Sequence, residues 1–163
     1  MVQLSTIGNE GMVWIVAAIL LLCTKKYRQG GIVLLLALAS GHLIGNLLLK
    51  PYVARARPIW PYTNMARLIP YPKDFSFPSG HALSSFTAAA VLTIINKKFC
   101  WLAIPLAYLI ALSRIYLYVH YPSDVLAGMV IGTINGKSIF ILWRKRIKKN
   151  HDKDLRCLDC FDR

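Results

Sequence analysis

Five runs of apolar residues, separated by short polar or basic stretches, dominate the sequence. They are Met12–Thr24, Gly31–Leu49, His81–Ile95, Phe99–Val119 and Asp124–Trp143. Because an α-helix needs roughly 20 residues to cross the hydrocarbon core of a bilayer, runs of this kind are typical of membrane-spanning helices. The first run is short for a span unless it begins near Ile7 and tolerates Glu10. The pattern predicts an all-α, polytopic membrane bundle with about five transmembrane helices.

Clusters of basic residues between the runs predict how the helices are oriented. These clusters are Lys25, Lys26 and Arg28, then Lys97 and Lys98, and finally Arg144, Lys145, Arg146, Lys148 and Lys149. If successive runs cross in opposite directions, all three clusters fall on one face, which the positive-inside rule makes cytoplasmic. The segment Lys50–Gly80 then lies on the extracytoplasmic face. We expect residues 1–149 to form a membrane-embedded domain and residues 150–163 to form a cytoplasmic polar tail.

The composition favours a membrane protein over the other classes that a basic chain suggests. The 163 residues include 20 Lys and Arg against 7 Asp and Glu, a formal net charge of +13, yet 56% are hydrophobic and only 17% are charged. A nucleic-acid-binding domain needs more polar surface, and a disordered chain is far less hydrophobic. A soluble domain of this size could not bury so many apolar residues. We therefore expect a multi-pass protein of the cell membrane, surrounded by lipid and without a nucleic-acid partner.

The cysteines do not indicate a disulfide framework. Cys157 and Cys160 form one Cys-x2-Cys pair in the polar tail, and only His151 lies near them in sequence. A zinc site needs four ligands, so we interpret the pair as structural or incidental, with redox or metal binding as the alternatives.

Three polar stretches fall at the same depth on the predicted outer face. They are Lys50–Pro58, Pro78–His81 and Ser113–Asp124. Lys and Arg side chains with limited access to water bind anions, and the planar fork of Arg matches the oxygens of a phosphate. The free N–H groups at the start of a helix also favour an anion. Arg114 lies inside an apolar run, where an ionisable residue indicates a functional site. Together the stretches predict a phosphate-binding site.

Two histidines and a carboxylate add acid–base chemistry to this predicted site. His81 and His120 suit nucleophilic or proton-transfer roles near neutral pH, and Asp124 can hold the ring of His120 through its other nitrogen. Taken alone, Pro78–His81 could be a helix start with Ser79 as its N-cap. His120 and Asp124 could likewise be a structural hydrogen-bonded pair.

Polar residues inside the apolar runs have plainer interpretations. For His42, with Asn46 one turn later, we favour polar packing between helices over catalysis. Asn135 and Lys137 in the fifth run suggest packing and snorkelling toward the cytoplasm, respectively.

Three motifs, read together, resemble the signature of a known family. They are Lys50-x6-Arg57-Pro58, Pro78-Ser79-Gly80-His81 and Ser113-Arg114-x5-His120-x3-Asp124. In order and in residue type they resemble the three-part signature of the type 2 phosphatidic acid phosphatase superfamily. The resemblance implies a phosphomonoesterase or pyrophosphatase that needs no metal and no cofactor.

The resemblance also implies a role for each residue of the motifs. His120 is expected to be the nucleophile that takes the phosphoryl group, with Asp124 orienting it. His81 is expected to protonate the leaving oxygen and later to help activate water. The residues expected to bind the phosphate oxygens are Lys50, Arg57, Ser79, Gly80 and Arg114. Arg55 stands outside the signature and is expected at most to support the site from behind.

Membrane members of this family commonly have six helices, and this chain offers five. The helix expected before Met12 is missing or reduced to Met1–Gly11, which is too short to cross a bilayer and can at most lie on its surface. We expect this departure to affect lipid access and oligomeric packing, and to leave the catalytic set intact.

The loop Ile59–Phe77 indicates the class of substrate. It carries Trp60, Tyr62, Tyr71, Phe75 and Phe77, and aromatic residues favour the membrane interface. We therefore expect a lipid phosphate that enters from the bilayer. The first choice is undecaprenyl diphosphate, the carrier lipid of bacterial cell-wall synthesis, followed by phosphatidylglycerol phosphate and phosphatidic acid. The alternatives are a lipid phosphotransferase and, outside the enzymes, an inert lipid-binding or transport module.

Overall fold

The helices of the structure follow the five apolar runs of the sequence. The computed structural model describes residues 11–58 and 74–159, of which residues 150–159 are described by their backbone alone. The α-helices are α1 (Met12–Cys23), α2 (Arg28–His42), α3 (Lys50–Val53), α4 (Gly80–Ile95), α5 (Cys100–Tyr116) and α6 (Pro122–Asp159). A π-helical stretch, Leu43–Leu49, joins α2 to α3, and a 3₁₀ turn, Lys97–Phe99, precedes α5. Within these ranges all regular secondary structure is helical, which confirms the all-α prediction.

Apolar side chains cover the outside of the bundle as well as its core. The segments long and apolar enough to cross a membrane are Arg28–Val53, Lys97–Tyr116 and Pro122–Lys149. Helices α1 and α4 are apolar but shorter. Leu20, Leu102 and Leu126 are each more than half exposed, and a surface rich in such residues is suited to lipid and not to water. The chain is a multi-pass membrane protein, and the exact number of spans stays a prediction.

The closest helix packing in the described bundle is between α4 and α6. On one face of α6, Gly128, Gly132 and Gly136 repeat every four residues. They lie against the backbone carbonyls of Ser79, Leu83 and Thr87, respectively. A methyl group added at any of the three glycines would come to 2.7 Å or less from the facing carbonyl oxygen. In a bilayer, close approach of small residues is a main source of helix association, because lipid tails are as apolar as the side chains.

Polar side chains in the interior tie α2 to the same pair of helices. The amide nitrogen of Asn135 donates to the carbonyl of Ala37 at 2.8 Å, and its oxygen accepts from the hydroxyl of Ser40 at 2.9 Å. The hydroxyl of Thr87 donates to the carbonyl of Gly132 at 3.0 Å. Hydrogen bonds of this kind satisfy polar groups that lipid cannot. The packing role predicted for Asn135 is confirmed.

Helix α6 continues past the predicted end of the membrane domain, as far as Asp159. The division at residues 149 and 150, the location of the tail and the snorkelling of Lys137 stay predictions. The side chain of Cys157 and the whole of Cys160 lie outside the described part of the chain. Cys23 and Cys100, which are described, are free thiols.

The glycine face of α6 generates a prediction about folding. In Gly132→Ala the added methyl overlaps the carbonyl of Leu83, so α4 and α6 must move apart. Overpacking of this kind costs about 1–3 kcal/mol or more. We expect a lower melting temperature in detergent and a smaller yield of monodisperse protein.

The matched control is Val130→Ile, which adds one methyl to an exposed position on the same helix. It should unfold at the same temperature as the parent protein. Equal melting temperatures for Gly132→Ala and Val130→Ile would show that the close contact does not limit stability.

Candidate active site

The three polar stretches of the sequence meet at one end of the bundle. The residues come from the start of α3 (Lys50), the segment that follows it (Arg55 and Arg57), the start of α4 (Ser79, Gly80 and His81), the last turn of α5 (Arg114), the α5–α6 turn (His120) and the first turn of α6 (Asp124). Side-chain contacts join residues of different elements. Residues separated by dozens of positions in sequence therefore share one site.

The turn between α5 and α6 sets the position of His120. Tyr118 adopts a left-handed conformation with φ of 53°, which lets the chain reverse quickly after α5. Pro122 starts α6, at a position where its missing N–H costs no helical hydrogen bond. The N–H of Tyr121 donates to Oδ2 of Asp124 at 3.1 Å. This contact caps the helix start and holds the turn in shape.

His120 is buried and is held through both of its ring nitrogens. Its Nδ1 lies 2.7 Å from the carbonyl oxygen of Ser76, and its Nε2 lies 3.2 Å from Nη1 of Arg57. Because a carbonyl oxygen can only accept, Nδ1 carries the proton and Nε2 presents its lone pair. Burial, together with the charge of Arg57, lowers the pKa of His120 to about 3. A neutral imidazole with an unprotonated Nε2 can act as a nucleophile or as a base.

Asp124 is connected to His120 through Ser76. The sequence predicts a direct hydrogen bond between Asp124 and the ring, but Oδ2 lies 3.9 Å from Nδ1. Instead, the hydroxyl of Ser76 donates to Oδ2 at 2.5 Å, while the carbonyl of the same residue accepts from the ring. Ser76 therefore takes the place that sequence reasoning assigned to the carboxylate. Sequence reasoning missed Ser76 because it stands outside the motifs, in a segment without regular secondary structure.

Arg55 binds the other oxygen of the Asp124 carboxylate. Its Nη1 donates to Oδ1 at 2.7 Å and to the hydroxyl of Ser123 at 2.8 Å. Its guanidinium carbon also lies 4.0 Å from the centre of the Tyr121 ring, within the range of a cation–π contact. Asp124 is completely buried, and a buried carboxylate needs such a partner. Arg55 thus supports the site from behind.

Arg57 and Lys50 form the cationic wall of the site, and Asp74 contacts both. Nη1 of Arg57 donates to the carbonyl of Val119 at 2.9 Å, and Nη2 donates to Oδ1 of Asp74 at 2.6 Å. The ammonium of Lys50 donates to Oδ2 of the same carboxylate. Partial burial would raise the pKa of Asp74, but the hydrogen bonds and charges of Lys50 and Arg57 hold that pKa below its ordinary value. Sequence reasoning did not single out Asp74.

The start of α4 contributes backbone groups and a second histidine. Ser79 is the N-cap residue, yet its side chain makes no capping hydrogen bond. Its hydroxyl is buried and, among the described residues, has no hydrogen-bond partner. A Cβ atom on Gly80 would come 3.3 Å from Oδ1 of Asn46, so the space beside this helix start is narrow. Nε2 of His81 lies 3.5 Å from Nη1 of Arg114, which is itself buried.

His42 and the aromatic loop were also singled out in the sequence. The prediction that His42 packs between helices is wrong, because its side chain is exposed. Its Nδ1 lies 2.8 Å from the amide nitrogen of Asn46, one turn later in the same helical segment. Trp60, Tyr62 and Tyr71 of the aromatic loop lie outside the described residues.

Carboxylates, histidines and cysteines are too dispersed in the described ranges to form a metal site. No three of them come together there in an arrangement that could hold an ion. The groups that converge at this site are cations, helix N–H donors and imidazoles, a set that suits an oxyanion.

Comparison with known proteins identifies the family. The family model of the PAP2 superfamily matches residues 30–148, which contain all three motifs. The chain belongs to the PAP2 superfamily. This membership confirms the resemblance to the type 2 phosphatidic acid phosphatases on which the sequence analysis relied.

Two curated proteins are similar to this chain over most of its length. The undecaprenyl-diphosphatase of Sulfolobus acidocaldarius is 40% identical over 135 residues, which are 82% of this chain and 64% of that protein. The decaprenylphosphoryl-5-phosphoribose phosphatase of Mycobacterium tuberculosis is 36% identical over 134 residues, which are 82% of this chain and 73% of that protein. The chain thus spans slightly less than two thirds of the length of the first relative.

A solved PAP2 structure has a similar fold. The transmembrane PAP2 type phosphatidylglycerolphosphate phosphatase from Bacillus subtilis superposes with a TM-score of 0.65 and 25% sequence identity. The match covers 87% of this chain and 75% of that one. The likeness supports the membrane-bundle architecture of this PAP2 protein.

The bridging position of Ser76 generates a prediction about stability. Ser76→Ala leaves Oδ2 of the buried Asp124 without its short hydrogen bond. Hydrogen bonds to charged groups contribute about 1.5–3 kcal/mol, so we expect a clearly lower melting temperature in detergent.

Ser123→Ala is the control, because its hydroxyl is exposed and contacts only the Arg55 side of the network. It should lower the melting temperature much less than Ser76→Ala does. If the two variants unfold at the same temperature, Ser76 does not stabilise the buried carboxylate.

Proposed function

We propose that this protein is a lipid phosphatase that acts through a phosphohistidine at His120. The observation that carries the proposal is the position of His120, whose Nδ1 is bound to the carbonyl of Ser76 and whose Nε2 lies 3.2 Å from the guanidinium of Arg57. A nucleophile and a cation that matches phosphate oxygens are therefore adjacent. Membership of the PAP2 superfamily and the names of its relatives support the same class of reaction.

In the first step, Nε2 of His120 attacks the phosphorus of the substrate. A P–N bond forms, and the bond from phosphorus to the leaving oxygen breaks. Lys50, Arg57 and Arg114 balance the charge on the remaining phosphate oxygens as it develops. His81 takes up a proton when the anionic phosphate binds beside it and gives that proton to the leaving oxygen. The lipid therefore leaves as an alcohol from a monophosphate and as a monophosphate from a diphosphate.

Ser76 and Asp124 hold His120 ready for this attack. The Nδ1 proton stays on the ring and keeps its hydrogen bond to the carbonyl of Ser76. When phosphorylation makes the imidazole cationic, the carboxylate of Asp124, 3.9 Å from Nδ1, stabilises that charge.

In the second step, water attacks the phosphohistidine. His81, neutral after the first step, takes a proton from the water, the P–N bond breaks, and inorganic phosphate is formed. His120 returns to the neutral form with its proton on Nδ1. These residues complete the cycle, and we propose that no metal ion is required.

The start of α4 completes the phosphate receptor. The hydroxyl of Ser79 is buried and, within the described chain, has no other partner, so it can donate to a phosphate oxygen. Gly80 carries no side chain that would block the free N–H groups of the first helical turn.

The substrate proposed is a lipid phosphate whose chain remains in the bilayer. Tyr52, Phe75 and Tyr118 are exposed at the same end of the bundle as the site, and exposed aromatic rings favour the membrane interface. Undecaprenyl diphosphate is the first candidate, because the Sulfolobus relative carries that activity in its name. Phosphatidylglycerol phosphate is the second, because the similar solved structure is named for it.

We propose that the site faces the extracytoplasmic side. Near the first two basic clusters, the ring of Tyr27 lies 5.5 Å from that of Phe99, and its hydroxyl accepts from Asn96 at 3.1 Å. Those clusters, at residues 25–28 and 97–98, thus lie on one face. The positive-inside rule favours the cytoplasm for that face, and the site lies at the other ends of α2, α4 and α5.

The decisive test of the function is His120→Ala. Without the nucleophile we expect release of inorganic phosphate from undecaprenyl diphosphate or phosphatidylglycerol phosphate to fall by about 10³-fold or more. The assay uses purified protein in detergent with EDTA present. A radiolabelled substrate should leave acid-labile, alkali-stable phosphate on the parent protein and none on the variant.

His42→Ala is the matched control, since this exposed histidine lies outside the site; it should keep full activity. Full activity of His120→Ala would refute the mechanism. A labelled phosphate recovered on an added alcohol would assign phosphotransfer instead, and an inactive parent protein would favour the inert binding module.

The orientation is tested with single cysteines in a chain whose four native cysteines are replaced by serine. Ala56→Cys, exposed beside the site, should react with an impermeant thiol reagent in intact cells. Lys145→Cys, exposed in the last basic cluster, should react only after the membrane is opened. The reverse pattern of labelling would invert the topology.

A further inference from the structure

The carboxylate of Asp74 contacts two cations of the site, Lys50 and Arg57. The ammonium of Lys50 donates a hydrogen bond to Oδ2, and Nη2 of Arg57 donates to Oδ1 at 2.6 Å. Nε of Arg57 also donates to the backbone carbonyl of Asp74 at 2.9 Å. One residue therefore accepts three hydrogen bonds from the two side chains that the proposed function assigns to phosphate.

These donors are the ones that a phosphate would use. Nη1 of Arg57 contacts Nε2 of His120 and the carbonyl of Val119. Nη2 of Arg57 and the ammonium of Lys50 are therefore the donors that remain for an anion. A carboxylate presents two oxygens in one plane, as two oxygens of a phosphate do. An incoming phosphate and the Asp74 side chain thus compete for the same two donors.

The burial of the three side chains shows which of them can move aside. The side chains of Lys50 and Arg57 are only 12% and 6% exposed, whereas that of Asp74 is 48% exposed. Arg57 is also held by the carbonyl of Val119, and the carboxylate is the most exposed of the three side chains. Asp74 can therefore turn into water without disturbing the core. Asp124 differs, because it is fully buried between Arg55 and Ser76.

We propose that Asp74 is an intramolecular competitor for the phosphate receptor, which weakens phosphate binding and returns to Lys50 and Arg57 as the product leaves. The inference rests on the proposed function only in assigning those two cations to phosphate. Three cationic side chains around a doubly charged product would otherwise hold it tightly and slow turnover. A carboxylate that re-forms its contacts compensates the cations while the phosphate departs.

The test is the affinity for orthovanadate, a tetrahedral oxyanion like phosphate, measured by titration calorimetry on the full chain in detergent. Asp74→Asn removes the charge and keeps the shape. Because a partly exposed ion pair of this kind is a modest competitor, we expect the dissociation constant to fall by about 3- to 10-fold. Asp74→Ala should shift the constant in the same direction, and both variants are first checked for the parental melting temperature.

Asp152→Asn is the control for charge, since it removes one carboxylate from the far end of α6 and should leave vanadate affinity unchanged. Phosphate release from undecaprenyl diphosphate is measured separately on the same samples. If the parent protein hydrolyses the lipid but the Asp74 variants bind vanadate equally or more weakly, Asp74 positions the cations and the competitor role is wrong. If the parent protein neither hydrolyses the lipid nor binds vanadate, the proposed function and the competitor role both fail.

Discussion

The close contact between α4 and α6 is the constraint on which the rest of the site depends. Gly132 lies directly against the carbonyl of Leu83, and this approach brings the starts of the two helices together. At the outer end of the contact, the N–H of Ser79 donates to the carbonyl of Asp124 at 3.1 Å. The start of α4, with its free N–H groups, is thus joined to the turn that carries His120. In lipid, where no hydrophobic force drives helices together, small residues and interior hydrogen bonds must supply this association.

Two carboxylates, Asp124 and Asp74, form ion pairs with the cations that are concentrated at the site. The four cations are Lys50, Arg55, Arg57 and Arg114. Asp124 is buried with Arg55, and separating a buried pair leaves an uncompensated charge in the protein. The side chain of Asp74 is half exposed, so water can replace its partners. The same type of side chain therefore stabilises the architecture in one place and, by our proposal, adjusts the affinity for phosphate in the other.

Much of the fold could be predicted because hydropathy is a local property of the chain. Each long run of apolar residues indicates a helix without reference to any other run, and three motifs named the residues that could bind and transfer a phosphate. The contacts of Ser76 and Asp74 could not be predicted in this way. Ser76 reaches His120 across 44 positions of sequence, and Asp74 reaches Lys50 across 24. Both stand in an irregular segment to which no hydrophobic periodicity applies, so nothing local announces their partners.

The sequence by itself determined that this is an all-helical membrane protein of the PAP2 superfamily, with His81, His120 and Asp124 among basic residues that suit phosphate. Only the tertiary structure decided which group faces which. It placed Ser76 between Asp124 and His120, Arg55 behind Asp124, and a carboxylate in front of Lys50 and Arg57. The reason is physical: a hydrogen bond forms or fails within a few tenths of an ångström, and those positions are set by several helices packed together.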